Sequence, residues 1–395
     1  MAKLSVKVVT RAVAGASYEV HIGRRLLGRS VGPLAKGRRV LLVVDSNVPA
    51  TSIGELVGAV ERAGKQYAVL PVLTSEKAKT LGTVAKVLEA AATLSLGRDD
   101  LMIAVGGGVL TDLVGLAAGL HRRGCQVVHC PSTLLAMVDG SVGGKTAANI
   151  EVDGRLIRNG VGVFHQPVRV VCDMDLLASL PERTFRAGLA ECLKHGLLGG
   201  AFADATLWDE TVLAVERGPV VGSAGLPALV ARNVRLKAAV VALDERETRD
   251  DLPGGGRMAL NLGHTFAHAI ETLHGLSWFD GRRVRRGTLL HGEAVGLGLI
   301  CAATLSAELG CCDRGFADRV RLAVGLAGLP VEVGGLPPDS ELLARMGSDK
   351  KVKGGRARFV VVSDDLRPAV RSDVAPSLVR AALAAIRTSQ GRKRR

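Results

Sequence analysis

Aromatic side chains are scarce in this 395-residue chain: two Trp, two Tyr and seven Phe, 3% of the residues. Stacking platforms for single-stranded nucleic acid need such rings at the surface, so that class of function loses its main support. Long uninterrupted apolar runs are missing as well. Charged residues such as Asp112 and Arg232 break the candidates, and Met1 to Val9 alternates lysines with apolar residues. No membrane span or secretory leader is therefore expected, and the protein should be soluble and cytoplasmic. The seven cysteines lack paired metal-type spacing; an odd count in apolar stretches suits buried free thiols in a reducing compartment. Prolines number 14 against 49 glycines, and 47% of residues are hydrophobic. That composition excludes a disordered chain and describes a globular α/β protein.

The length exceeds a typical single-core domain, so two domains are the default. What is present in excess is positive charge, 52 Lys and Arg against 38 Asp and Glu, a net +14. Part of it is peripheral: Arg282, Arg283, Arg285 and Arg286 form a basic insert, and Arg392, Lys393, Arg394 and Arg395 a basic tail, both read as solvated. The rest includes Arg123, Lys145, Arg158, Lys194, Lys237, Arg257 and Lys350, cations suited to a site that holds a phosphate and a carboxylate. Charge alone also admits nonspecific nucleic-acid binding, but no recognised binding motif accompanies it.

Short apolar runs at Val40–Val44, Tyr67–Leu73, Leu101–Val105, Val127–Cys130 and Val168–Cys172 alternate with helical patterns such as Ile53–Ala63 and Ala85–Leu94. That alternation predicts a mostly parallel, Rossmann-like sheet with helices on its faces over residues 1–180. Beyond it the pattern turns to Ala- and Leu-rich helices at Thr184–Leu198, Leu226–Leu243, Leu260–Leu273 and Gly292–Leu309. Residues 181–395 are therefore expected to form a helical domain ending in the basic tail, with Pro253–Gly256 and Ser277–Thr288 as surface loops and a cleft shared between the two halves.

The run Leu101–Val105 leads into Gly106, Gly107 and Gly108, and Thr111 to Leu120 continues with helical character. Glycines at a strand-to-helix turn let the backbone approach a pyrophosphate, and Asp45, at the end of another apolar run, could take ribose hydroxyls. In the helical half, His264 and His268 stand four apart, with Glu191 upstream and His291 downstream. Two imidazoles on one helix face, a distant carboxylate and a third imidazole can surround one divalent metal. The pair alone is equally compatible with two satisfied core or surface histidines.

Taken in order, these motifs resemble the 3-dehydroquinate synthases, within the sugar phosphate cyclases. The match runs through Gly106–Val109 with Asp112, Arg123–Gly124, Pro131–Ala136, Asp139, and Ser141–Thr146. It continues at Gly188–Glu191 with Lys194, Lys237, Asp244–Glu247, Asn261–His268, His291–Glu293 and Asp349–Lys351. The resemblance covers most of the chain, from Asp45 to Lys351. It implies an α/β nucleotide-binding domain followed by an α-helical metal-binding domain, and a carbon–oxygen lyase acting on 3-deoxy-D-arabino-heptulosonate 7-phosphate to give 3-dehydroquinate and phosphate in aromatic amino acid biosynthesis. In that chemistry bound NAD oxidises the C5 hydroxyl transiently, the C6 proton is acidified, phosphate leaves, the hydride returns, and ring opening with an internal aldol step closes the carbocycle.

The resemblance also assigns roles. Glu191, His264 and His291 would hold a divalent ion, zinc or cobalt, with positions left open for substrate. His268 would relay a proton near the C5 hydroxyl, with Glu247 in the family's acid/base position although its charged run also reads as solvated. Lys145, Asn159, Lys237, Arg257, Asn261 and Lys350, with Arg123 and Lys194, would bind substrate. Asp45, Asn47, Glu76, Lys79, Gly106, Gly107, Gly108, Asp112, Ser132, Thr133, Asp139, Arg158 and Ser179 would contact NAD. The substrate's own phosphate can serve as base for the elimination, and a homodimer is implied.

Three departures stand out. Arg158 takes the place of the family's lysine before Asn159, after a short insertion at Glu151–Arg155, and two further insertions flank the metal motif, at Gly254–Gly256 and at Ser277–Thr288. Arginine keeps the charge but changes the geometry of any cofactor contact. A metal-dependent polyol or glycerol dehydrogenase is the competing reading, but it would release NADH and has less need of Lys145, Lys237, Arg257 and Lys350. Asn261 and Lys350 favour the dehydroquinate branch among related cyclases.

Overall fold

The structure is a computed structural model that describes residues 3–10, 17–202, 204–218, 221–249, 252–347 and 357–388. It divides into two compact units, residues 1–185 with 220–246, and residues 186–219 with 247–395. Lys350, with Asp349, Lys351 and the basic tail, lies outside the described residues.

Among the described residues the first unit has nine strands: β1 (Leu4–Val8), β2 (Tyr18–Gly23), β3 (Arg39–Asp45), β4 (Gln66–Val72), β5 (Leu101–Gly106), β6 (Gln126–Pro131), β7 (Lys145–Val152), β8 (Arg155–Phe164) and β9 (Arg169–Asp173). Seven form one sheet in the order β1-β2-β9-β6-β5-β3-β4. Its pairings are parallel except β1 with β2. Strand β5 is buried along its whole length, as expected of a parallel strand covered on both faces, and this is why its sequence is a continuous apolar run. Helices α1 (Leu27–Ala35) and α2 (Ala50–Ala63) pack on one face, α3 (Leu81–Thr93) and α4 (Gly108–Leu120) on the other, and each face has its own core.

The crossover from β3 runs outward to β4, whereas that from β5 runs the other way to β6, so the connections diverge between β3 and β5. In open α/β sheets the crevice beyond the strand ends at such a divergence is where ligands bind. Asp45 ends β3, and Gly106 ends β5.

Strands β3, β4, β5, β6 and β9, contiguous from the middle of the sheet to its β4 edge, follow the expected apolar runs within two residues at either end. Four strands lie outside those expected runs, β1 and β2 at one edge and β7 and β8 in the hairpin. In β1 and β2 polar residues alternate with buried Val6, Val8, Val20 and Ile22. Strands β7 and β8 form an antiparallel hairpin closed by Asp153 (φ 50°) and Gly154 (φ 71°), the Asp-Gly pair that a tight hairpin turn favours.

The second unit gathers α5 (Glu182–Gly196, from Arg186 onward) and α6 (Leu207–Glu216), then α8 (His264–Ile270), α9 (His291–Glu308), α10 (Arg314–Leu326), α11 (Asp339–Gly347) and α12 (Pro376–Ala384). The intervening helix α7 (Leu226–Leu243), which composition places with the helical half, packs in the first unit against β1 and the turn at Ala136–Gly140. An apolar helix face does not announce which core it joins. Two ribbons complete the second unit, β10 (Leu276–Phe279) with β11 (Val284–Gly287), and β12 (Phe359–Val362) with β13 (Pro368–Arg371).

Two expectations are corrected here. The segment Ser277–Thr288 is mostly this β10–β11 ribbon and not a loop, because Leu276 and Trp278 alternate inward to 0% and 3% exposure. The helix expected over Leu260–Leu273 is confined to His264–Ile270, since Gly263 before it adopts φ 78°.

Candidate active site

In the second unit Glu191 comes from the C-terminal half of α5, His264 opens α8 and His291 opens α9. Close helix contacts bring the three together. A Cβ on Gly292 would lie 1.8 Å from the Ala187 carbonyl oxygen, and one on Gly298 would lie 2.2 Å from that of Gly263. Only glycine lets the first turn of α9 approach α5, and Gly298 further along it approach the start of α8, this closely. Glu293 caps the same end of α9, its carboxylate accepting the Leu290 N–H at 2.7 Å, so each member of the His291–Gly292–Glu293 motif has a separate task.

The Nε2 atoms of His264 and His291 each lie 3.6 Å from Glu191 Oε1, and the ligand atoms of the three residues fall within 4.8 Å of one another. Donors about 2.0–2.2 Å from a tetrahedral ion stand roughly 3.3–3.6 Å apart, so this spacing fits a shared divalent metal. The orientation fits too. His264 Nδ1 is 3.1 Å from the Leu262 carbonyl oxygen, which can only accept, so Nδ1 donates and Nε2 is left with its lone pair.

Burial alone would depress the His291 pKa, but the carboxylates of Glu191 and Glu271 outweigh it and hold the imidazole up to about 10. Its side chain keeps 37% exposure, so water tempers the effect. The cluster favours positive charge between its donors, which a divalent ion supplies. Lys194 reaches the other oxygen of Glu191, with both side chains 1% exposed.

The His268 ring, half-buried, centres 5.6 Å from that of His264 and 6.5 Å from that of His291. Asn261 donates to Glu247 Oε1 at 3.1 Å, so Glu247 is hydrogen-bonded to the first residue of the Asn261–His268 motif. Arg257 is buried to 1% exposure, just after three glycines of positive φ.

In the first unit, the expected cofactor residues fall into three groups. Asp45, the glycine triplet, Ser132 and Thr133 lie at the carboxyl ends of β3, β5 and β6, where Ser132 N–H donates to the Gly106 carbonyl at 2.9 Å. The glycines differ: a Cβ on Gly106 would meet Leu110 Cδ2 at 2.7 Å, one on Gly107 would meet Thr133 Cγ2 at 3.2 Å, and one on Gly108 would meet nothing within 4 Å. Gly108 begins α4, so an anion could approach its main chain directly. Asp45 accepts from Asn47 N at 3.0 Å, Asn47 Nδ2 at 2.9 Å and Thr74 Oγ1, so both its oxygens already organise this turn.

The second group centres on Lys79, which is 5% exposed and donates to Asp112 Oδ2 at 2.5 Å and Asn159 Oδ1 at 2.6 Å. A solvated Glu76–Lys79 pair is thereby excluded; Glu76 instead accepts from Asn149 at 3.1 Å, and Asn149 in turn accepts the Asn159 N–H at 2.8 Å. Burial raises the Asp112 pKa against the opposing pull of Lys79. In the third group Lys237 of α7 is bound by the carboxylate and carbonyl of Asp139. Arg123, Lys145 and Asn159 are exposed, Arg158 is half-buried on β8, and Ser179 is the exposed end of a turn whose Met174, Leu176 and Leu177 are buried.

Residues 69–187 match the 3-dehydroquinate synthase N-terminal family and residues 188–352 the 3-dehydroquinate synthase C-terminal family. The chain belongs to the 3-dehydroquinate synthase family. Among its relatives, the 3-dehydroquinate synthase of Nitrobacter hamburgensis is 40% identical, covering 94% of each chain, and that of Paracoccus denitrificans is 38% identical over 96% of this chain and 99% of its own. A solved 2-epi-5-epi-valiolone synthase from Streptomyces hygroscopicus, with NAD+ and Zn2+ bound, superposes with a TM-score of 0.77 at 26% identity, over 96% and 99% of the two chains. A glycerol dehydrogenase from Schizosaccharomyces pombe shares the fold at TM-score 0.60 and 16% identity, over 92% of this chain and 87% of its own.

Sequence reasoning missed Glu271, Asn149 and the close-approach glycines Gly292 and Gly298. Glu271 carried one signal, a carboxylate seven residues after His264 and so near the same helix face.

Proposed function

We infer that this 3-dehydroquinate synthase family member converts 3-deoxy-D-arabino-heptulosonate 7-phosphate to 3-dehydroquinate and phosphate. The observation that carries this reading is the convergence of Glu191, His264 and His291, in the family's motif order, with ligand spacing. When bound, NAD supplies a transient hydride acceptor and the divalent ion a Lewis acid for the substrate's hydroxyls.

The chain's own residues do the rest. Glu191, His264 and His291 hold the ion, Lys194 fixes the Glu191 carboxylate, and His268 carries a proton to and from the C5 hydroxyl. Lys145, Asn159, Lys237, Arg257 and Lys350 bind the substrate's phosphate, carboxylate or hydroxyls, and the charged donors among them strengthen as water is excluded. The turn at Gly106–Gly108 and the Lys79–Asp112–Asn159 network serve NAD. Arg123 and Asn261 complete the substrate contacts, with Glu247 beside Asn261. A cytoplasmic homodimer accords with this reading; among the described residues no helix is long and apolar enough to cross a membrane.

The test incubates zinc-loaded protein with NAD and 3-deoxy-D-arabino-heptulosonate 7-phosphate, following phosphate release and NADH absorbance together. Phosphate and 3-dehydroquinate without accumulating NADH are expected. Accumulating NADH on a polyol, with no phosphate released from the sugar phosphate, would instead identify a dehydrogenase.

A further inference from the structure

His291 lies between two carboxylates. Its Nε2 faces Glu191 Oε1 at 3.6 Å, and its Nδ1 is 2.9 Å from Glu271 Oε2. Glu271 is 4% exposed and sits one residue beyond α8, the helix that His264 opens, with its N–H bonded to the Ala267 carbonyl at 2.9 Å. One short helix thus carries a ligand at its first residue and, two turns later, the group that contacts the other imidazole.

We propose that Glu271 is the positioning residue for His291. It accepts the Nδ1–H, which fixes the tautomer with the Nε2 lone pair on the Glu191 side, and its negative charge makes that nitrogen a stronger donor to a metal. The two imidazoles are therefore oriented by different means. His264 is set by a main-chain carbonyl that no substitution removes, whereas His291 depends on a side chain whose charge can be altered separately from its hydrogen bond. Glu271 Oε2 is directed at Nδ1, so this carboxylate acts through His291 and is not itself part of the converging ligand set. The inference rests on the metal reading of Glu191, His264 and His291.

The experiment uses the full-length protein, stripped of metal, with zinc affinity measured by competition against a chromophoric chelator and the site reported separately by the visible spectrum of added cobalt(II). Glu271→Ala is expected to weaken zinc binding about 10–100-fold, the range typical for removal of such an orienting partner. Glu271→Gln keeps an acceptor for Nδ1–H and loses the charge, so it should weaken zinc only several-fold and leave the cobalt spectrum close to that of the parent. Metal-free thermal unfolding monitors folding. Should Glu271→Ala fail to fold, parental zinc affinity in Glu271→Gln would overturn the proposal. Parental affinity in a folded Glu271→Ala would do the same. If the parent bound no stoichiometric zinc, or if His264→Ala kept it, the metal reading itself would fail, an outcome distinct from either Glu271 result.

Discussion

Lys194 and Glu191, one turn apart on α5, form an ion pair in which each side chain is 1% exposed. Two charges withdrawn from water in this way are tolerated only while they face each other, and breaking such a pair leaves an uncompensated buried charge. The lysine therefore holds the carboxylate in place before any metal arrives.

That arrangement predicts how Lys194→Ala behaves. Without metal the variant should lose roughly 3–5 kcal/mol of stability, and zinc, by supplying the missing positive charge, should restore more stability to it than to the parent. Urea unfolding with and without zinc measures both numbers. A metal-free variant as stable as the parent would show that Glu191 does not need this partner.

His264→Ala removes a ligand and not merely its support. Zinc stoichiometry should fall from one per chain to none, and phosphate release should drop by more than about 100-fold, beyond the range that loss of an orienting partner produces. Metal analysis after gel filtration and the phosphate assay check this independently. Retained stoichiometric zinc would remove His264 from the ligand set.

Acid stability turns on a different histidine. His129 on β6 is 3% exposed, and burial pushes its pKa down from 6.5 to about 3, with the neighbouring His165 adding to the effect. Because the folded-state value lies below the unfolded one, the neutral ring costs nothing above pH 6.5. As the pH falls from 6.5 toward 3 the unfolded chain gains a proton that the folded chain refuses, and stability is lost. Between pH 7 and 5 this single group should account for about 2 kcal/mol, and His129→Leu should flatten the stability–pH curve by that amount. Denaturant unfolding at pH 7, 6 and 5 gives the slope. A variant with the parental slope would exclude His129 as its source, leaving His21 and His165, whose pKa values burial also lowers.

The parts of the fold that sequence discloses are those where burial leaves one reading. Strands β3 and β5 are apolar over the runs Val40–Val44 and Leu101–Val105 because both faces are covered there. Strand β1 exposes Ser5 and Lys7 between buried Val6 and Val8 and resembles a polar segment until β2 pairs with it. At the site, residue type and helix spacing singled out Glu191, His264, His268 and His291 together, and only the family resemblance set His268 apart from the three whose donor atoms converge. Gly292 was not legible as a helix contact, since glycine is required there only by the Ala187 carbonyl 1.8 Å from where its Cβ would stand. Lys194 read as one more substrate cation, although its place three residues after Glu191 on an expected helix already offered this ion pair.

The glycine triplet separates packing from ligand approach, and the two can be tested apart. Gly106→Ala would push a methyl to 2.7 Å from Leu110 Cδ2 and 3.0 Å from Asp45 Cβ, an overpacking that should cost about 1–3 kcal/mol. Gly108→Ala meets no atom within 4 Å, and alanine is the better helix former by up to about 1 kcal/mol, so stability should hold or rise slightly. If the first turn of α4 is where the NAD pyrophosphate approaches, that same methyl stands in the ligand's path. NAD affinity should then fall by about tenfold or more, the effect of losing roughly 1.4 kcal/mol of contact. Thermal unfolding without ligand and calorimetric titration with NAD distinguish the two variants. Parental NAD affinity in a stable Gly108→Ala would move the pyrophosphate away from this turn.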